Sequence, residues 1–276
     1  GVVGSADRPP VQKKGVINML RMIKSELCKL TRYHILWAGV LLMALSVLLA
    51  LFSSTAQDGS VWTFPFLVEQ VIKNNATTIF PVCITLITGY MIAREEKDDT
   101  LKNIVTIPVS YRALLCGKLV AGGLVSALFG LACAVLTVLG NLIAGFPGLT
   151  ALGLVQTEVQ MMFNCLCLYI AVLPIITVSA YVSGGNMTGV IIAFVYGYGG
   201  MFAAGSVKLS NLYPITASLG MIGYRDYDVT WNTTLCCGSM ALMLMLTAVI
   251  LLTMRSSTDN RKSAKKKAKA PLKKGW

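Results

Sequence analysis

Long apolar runs broken by short polar stretches set the pattern of this chain. Residues 33–52 and 76–93 form two such runs, 119–146 and 158–182 hold two more, and 190–206 and 233–254 complete the set. None alternates strictly between apolar and polar positions, which argues against the strands of a barrel. Each has about the 20 residues that a helix needs to cross a hydrocarbon layer of about 30 Å. Inside lipid the backbone must satisfy its own polar groups, and a helix does so within one segment. The expected fold is an all-α membrane protein with six transmembrane helices. Gly145-Phe146-Pro147-Gly148 ends the third span, and the run Ser183 to Gly189 separates the fourth from the fifth. Residues 53–75 read as a polar loop whose aromatic cluster, Trp62, Phe64 and Phe66, suits a membrane interface. Polar, aromatic residues 208–232 join spans five and six.

Ahead of the first span the period changes. Leu20, Ile23, Leu27 and Leu30 share one helical face, while Arg21, Lys24, Lys29 and Arg32 occupy much of the rest. Asn18 can cap this helix. Such a basic amphipathic segment lies in the headgroup plane, in preference to a simple extension of span one. Residues 1–18, mixing Gly, Pro and charge, read as a disordered lead or a cloning remnant, with Met19 as the natural start. Residues 19–254 form the six-span domain, and 255–276 a basic tail.

Charge then gives the topology a direction. Only 13% of residues are charged, about half of what a soluble domain carries (roughly 25%). The net charge is +12, unevenly spread. Of the 24 Lys and Arg, seven precede residue 33, five lie in 94–118 and nine follow residue 254; Lys73, Lys208 and Arg225 alone fall in the alternate loops. That asymmetry predicts that both termini face the cytoplasm; the expected location is the cytoplasmic membrane of a bacterial cell. It also accounts for the basic balance through orientation and anionic lipid rather than nucleic acid. The eight cysteines sit in or beside apolar runs at spacings that suggest neither a zinc site nor a disulfide framework. A lone histidine, His34, argues against an intramembrane metalloprotease, which needs clustered ligands.

The charge-rich stretch 94–118 stands between two runs without charge. Leu101, Ile104 and Val105 share a face of a short helix that Asp99 or Thr100 can cap. Pro108 stops it, because proline disfavours the helical conformation in the residue before it. Ser110 can cap a second helix from Tyr111, which carries Arg112 into span three. Glu95, Glu96, Asp98 and Asp99 offer a negative rim to a basic partner. Elsewhere the polar residues are sparse. Glu158 and the cluster Arg225, Asp226 and Asp228 are candidates for an outer gate, set against a snorkelling carboxylate and local pairing. The glycine run Gly197–Gly205 permits close helix packing within the chain or a seam between two chains.

The connector carries a resemblance. An apolar span, Glu-Glu-Lys-Asp-Asp-Thr-Leu-Lys-Asn-Ile, then Ile-Pro-Val-Ser-Tyr-Arg, then Gly-Lys and a further span, resembles the type-2 ABC exporter permeases. The matching positions are Glu95 or Glu96, Thr100-Leu101, Pro108-Val109-Ser110 and Lys118. The opening Met-Leu-Arg-Met-Ile-Lys-Ser-Glu-Leu-Cys-Lys-Leu is similar to the start of the bacitracin and lantibiotic-immunity permeases. The resemblance implies an interfacial first helix, a cytoplasmic coupling helix between spans two and three, and a re-entrant outer segment between spans five and six, matched by residues 209–231. It implies ATPase coupling through Glu95, Glu96, Asp99, Thr100, Leu101, Ile104, Pro108, Ser110 and Arg112. It also implies two copies of an ATP-binding subunit and a second permease subunit, identical or homologous, within membrane lipid and without nucleic acid.

Gly117-Lys118 is followed by Leu119 and lacks the upstream glycine of a phosphate-binding loop. The chain is therefore expected to be a non-ATPase subunit that binds no cofactor, with ATP and Mg on the partner. The expected function is export of amphipathic peptide antibiotics for resistance or self-immunity. The alternative is an immunity protein that sequesters a toxic peptide without transporting it.

Overall fold

The computed structural model describes residues 23–30, 34–56, 61–97, 111–181, 186–225 and 229–253, with the side chains of 95–97, 111, 181 and 186 excluded. Among the described residues every regular element is helical. Helix α1 covers residues 23–30. It is followed by α2 (Ile35–Ser53), α3 (Phe64–Asn74), a π turn (Asn75–Ile79) and α4 (Phe80–Lys97). Then come α5 (Tyr111–Ala144), α6 (Ala151–Tyr181), α7 (Asn186–Ala204), the short α8 (Val207–Leu212) and α9 (Pro214–Met221), and α10 (Thr233–Thr253). Six helices are long and apolar enough to cross a membrane: α2, the continuous α3–α4, α5, α6, α7 and α10. The chain is an all-α, multi-pass membrane protein.

The spans fall into two classes. Helices α5 and α6 have 34 and 31 residues, and the α3–α4 span has 31. At 1.5 Å per residue they reach about 45–50 Å, well beyond the hydrocarbon core of about 30 Å. Helices α2 and α7, with 19 residues each, and α10, with 21, just match that core. The long spans form the interior and the short ones the rim, where only 22–28% of each span is buried. The α5–α6 contact is the most extensive, with α7 against α4, α10 against α6 and α2 against α5. Lipid offers no hydrophobic drive between helices, so polar contacts help to set the packing. One polar knot ties four spans. Asn75 Nδ2 donates to Cys133 Sγ at 3.0 Å, Ser46 Oγ lies 3.8 Å from the same sulfur, and Thr137 Oγ1 reaches Met161 Sδ at 3.8 Å.

Residues 53–75 are not a loop throughout. From Phe64 they form helix α3, which Thr63 caps in an extended conformation and in which Pro65 occupies the first turn. Phe64, Leu67, Val68, Val71 and Ile72 make its buried face, while Glu69, Gln70 and Lys73 give the outer face the polarity that reads as a loop. Of the aromatic cluster, Phe64 turns inward at 1% exposure, and Trp62 packs on Phe66 and Phe146. Span four likewise begins earlier than residue 158, at Ala151. The run Ser183 to Gly189 is not all break, because α7 begins at Asn186.

The glycines of span five are used inside the chain. A Cβ at Gly197 would lie 2.7 Å from the Thr77 carbonyl oxygen, and one at Gly199 or Gly200 would meet Tyr213 or Ile215. Pro81, four residues after Thr77, has no N–H to offer that carbonyl. The face that α7 turns away from the bundle carries an aromatic ladder instead: Phe194, Tyr198 and Phe202, each ring against the next.

Candidate functional site

The base of the bundle is where α1, the end of α4 and the start of α5 meet. Helix α1 turns Ile23, Glu26, Leu27 and Leu30 inward and Lys24, Ser25, Cys28 and Lys29 outward. This is the spacing of one helical face, with a carboxylate in its middle. Glu26 Oε2 accepts a hydrogen bond from Lys118 Nζ at 2.7 Å, and Oε1 accepts one from Lys29 Nζ at 2.7 Å. Lys118 Nζ also donates to the Met91 carbonyl oxygen at 3.0 Å. The Glu26 and Lys118 side chains are 4% and 3% exposed, whereas Lys29 is 47% exposed. Lys118 lies two turns into α5, and Met91 lies on α4 shortly before its end at Lys97. One ammonium group thus joins α1, α4 and α5.

The next residue brings in a fourth helix. Tyr169 of α6 donates its hydroxyl to the Leu119 carbonyl oxygen at 2.6 Å. Gly122 makes room for it, because a Cβ there would stand 2.7 Å from the Tyr169 oxygen.

Burial by itself raises the pKa of the Glu26 carboxyl. The hydrogen bonds from Lys118 and Lys29, with the charges of both, outweigh it and hold the pKa below its ordinary value of 4.5. Glu26 is therefore ionised at neutral pH. Charges this buried persist only when paired and hydrogen-bonded. What the arrangement can do is mechanical: it fixes the position of α1 against the two helix ends that bracket residues 98–110.

Of the candidate coupling residues, Glu95, Glu96 and Arg112 fall on that bracket. Glu95 and Glu96 lie in the last turn of α4. Asp99, Thr100, Leu101, Ile104, Pro108 and Ser110 lie outside the described residues, and Arg112 is exposed in the first turn of α5. Of the interfacial set, Lys24 and Lys29 are exposed on α1, while Arg21 and Arg32 lie outside the described residues.

At the opposite end, Glu158 on α6 and Arg225 are both exposed, and they make no ion pair with each other; Asp226 and Asp228 lie outside the described residues. The polar centre there is Asn211. Its Nδ2 donates to the Thr230 carbonyl at 3.1 Å and its Oδ1 accepts from Asn232 N at 2.8 Å. Ser239 Oγ donates to the Leu212 carbonyl at 2.8 Å, and α9, buried from Pro214 to Gly220, packs on α10 and α6.

Sequence reasoning missed Glu26 and Asn211. Glu26 had a signal: it is the lone acid of a basic helix and stands on the apolar stripe, between Ile23 and Leu30. Its partner is 92 residues away, beyond the reach of any local pattern. Asn211 had none, because its partners are loop backbone groups that only the folded outer segment brings near.

Comparison with known proteins bears on the same region. Residues 22–200 match the sequence profile of the family described as ABC-2 family transporter protein, a stretch that holds Glu26, Met91 and Lys118. The chain is also 39% identical over 94 residues to the bacitracin transport permease protein BCRB of Bacillus licheniformis. That alignment takes in 34% of this chain and 45% of the relative, less than half of its length. With most of its length matched and six apolar helices in one bundle, the chain belongs to the ABC-2 family of transporter proteins.

Proposed function

We propose that this chain is the membrane-spanning permease subunit of an ATP-driven exporter that removes amphipathic peptide antibiotics from the bilayer. The observation that carries the reading is the family match over residues 22–200. The similarity to a protein described as a bacitracin transport permease supports the substrate class. So does the near absence of charge in spans of this composition, which suits an amphipathic cargo better than a small ion. In this reading the ends of α4 and α5 face the cytoplasm. Residues 94–118 receive the stroke of an ATP-binding partner present in two copies, and a second permease subunit completes the complex. ATP and Mg belong to the partner, since Gly117-Lys118-Leu119 lacks the hydroxyl residue and upstream glycine of a phosphate-binding loop.

Purification of the intact complex in mild detergent, with every chain identified, tests the reading. A stoichiometric ATP-binding chain and ATP hydrolysis stimulated by bacitracin are expected. Glu95→Gln with Glu96→Gln, or Leu101→Asp, is expected to leave insertion intact while uncoupling hydrolysis from resistance. Resistance to bacitracin without any ATP-hydrolysing partner overturns the reading in favour of sequestration.

A further inference from the structure

We propose that helix α1 is a working part of the coupling device, and that Glu26 is the positioning residue that makes it so. Through Lys118 it holds α1 to the two helix ends flanking residues 98–110, so that the three move as one body. The inference rests on the reading that this connector receives the partner's stroke.

The geometry argues for it in three steps. First, any displacement of residues 98–110 enters the bundle through the last turns of α4 and the first turns of α5. Met91 and Lys118 stand in those turns, and the Lys118 ammonium bonds the Met91 carbonyl across them at 3.0 Å. Second, α1 is attached at that same atom, by the 2.7 Å bond from Lys118 to Glu26. A push on the connector is therefore carried to α1 through a polar contact as well as through apolar packing. Third, the other inward residues of α1, Ile23, Leu27 and Leu30, are apolar. Apolar contact is non-directional and permits sliding. A desolvated ion pair is directional, and fixing register is the best-attested use of such a pair. Lys29 holds the second carboxylate oxygen at 2.7 Å, which keeps Glu26 aimed at Lys118.

Beyond the pair, Tyr169 passes the connection to α6 through the Leu119 carbonyl. The path from connector to transmembrane interior runs α4 and α5 to Lys118, then Leu119 to Tyr169. Helix α1 clamps it from the membrane surface.

The test uses the full chain in its purified complex, in lipid nanodiscs. Spin labels are placed at the exposed Cys28 on α1 and at Val120→Cys on the exposed face of α5, with Cys116 and Cys237 replaced by Ser. A single narrow distance is expected, unchanged by ATP with Mg. Glu26→Gln is expected to broaden it and to lower, at least fivefold, the ratio of bacitracin resistance in cells that express the complex to the ATPase activity of the purified complex. The exchange Glu26→Lys with Lys118→Glu re-forms the pair between α1 and α5 but not the bond to the Met91 carbonyl, and sets a lysine beside Lys29, so it is expected to recover only part of both. Glu26→Asp, which keeps the charge and shortens its reach, gives intermediate values and serves if Glu26→Gln fails to assemble. A narrow distance in Glu26→Gln or wild-type values in Glu26→Asp overturn the clamp. A broadened distance with an unchanged ratio overturns its part in coupling. A wild-type complex with a narrow distance but no ATP-hydrolysing chain overturns the transporter reading instead, and the coupling role with it.

Discussion

Replacing Glu26 by Gln removes the charge of the buried pair while keeping its shape. At 2.7 Å and an effective dielectric of about 20, the attraction of two unit charges is about 6 kcal/mol. Desolvation of both ions offsets much of this, and loss of one partner from a buried pair costs about 3–5 kcal/mol. Gln retains a neutral acceptor for Lys118, so the lower end, about 3 kcal/mol, is expected. Lys118→Met should cost a similar amount, since it strands the carboxylate with Lys29. That lysine is 47% exposed, and solvent screening holds its worth to about 0.5 kcal/mol. The double variant removes both charges and should be far less damaged than the sum of the two. The coupling energy of the cycle should be about 3 kcal/mol. Denaturation by titrated SDS in mixed micelles, followed by tryptophan fluorescence, measures all four proteins. Single effects that add to within about 0.5 kcal/mol would refute the argument that these groups form a desolvated pair.

Further outcomes follow from the same geometry. The folded pKa of Glu26 lies below its ordinary value of 4.5, so the stabilisation it provides is complete above that pH and is lost as pH falls through the folded value. Stability measured against pH should therefore show an acid limb that Glu26→Gln flattens; an identical limb in the variant counts against the assignment. Gly197→Ala sets a methyl 2.7 Å from the backbone oxygen of Thr77, an overpacking that should cost about 1–3 kcal/mol and widen α7 from α4. Wild-type stability in the same micelle assay would show that the helices have slack. Asn211→Ala removes the bonds to Thr230 and Asn232; both residues are exposed, so water can replace the lost partner and the cost should be about 1 kcal/mol. Faster protease cleavage within residues 205–232 should report it, and unchanged cleavage would deny Asn211 its role.

The polarity pattern alone determined the class, the number of spans and most of their ends. Lipid cannot bond a bare backbone, so an uncharged run of this length has one stable form. Gly145-Phe146-Pro147-Gly148 ends α5 for a local reason, since Gly145 and Gly148 take positive φ and Pro147 has no N–H to continue a helix. The family resemblance was likewise readable in residues 94–118. Tertiary structure decided what depends on distant partners. Helix α3 exists because Phe64, Leu67 and Val71 find a core to fill; its polar face by itself reads as a loop. The glycines of span five face Thr77, Tyr213 and Ile215 rather than another chain, a choice that composition leaves open. Glu26 stands out in the sequence as an acid on an apolar stripe, but its partner is set only when α5 folds back and brings Lys118 beside it. A local pattern can report which medium a segment prefers, because that is the segment's own free energy. Which side chain a buried charge meets is a property of the assembled bundle, where leaving it unpaired would cost several kcal/mol.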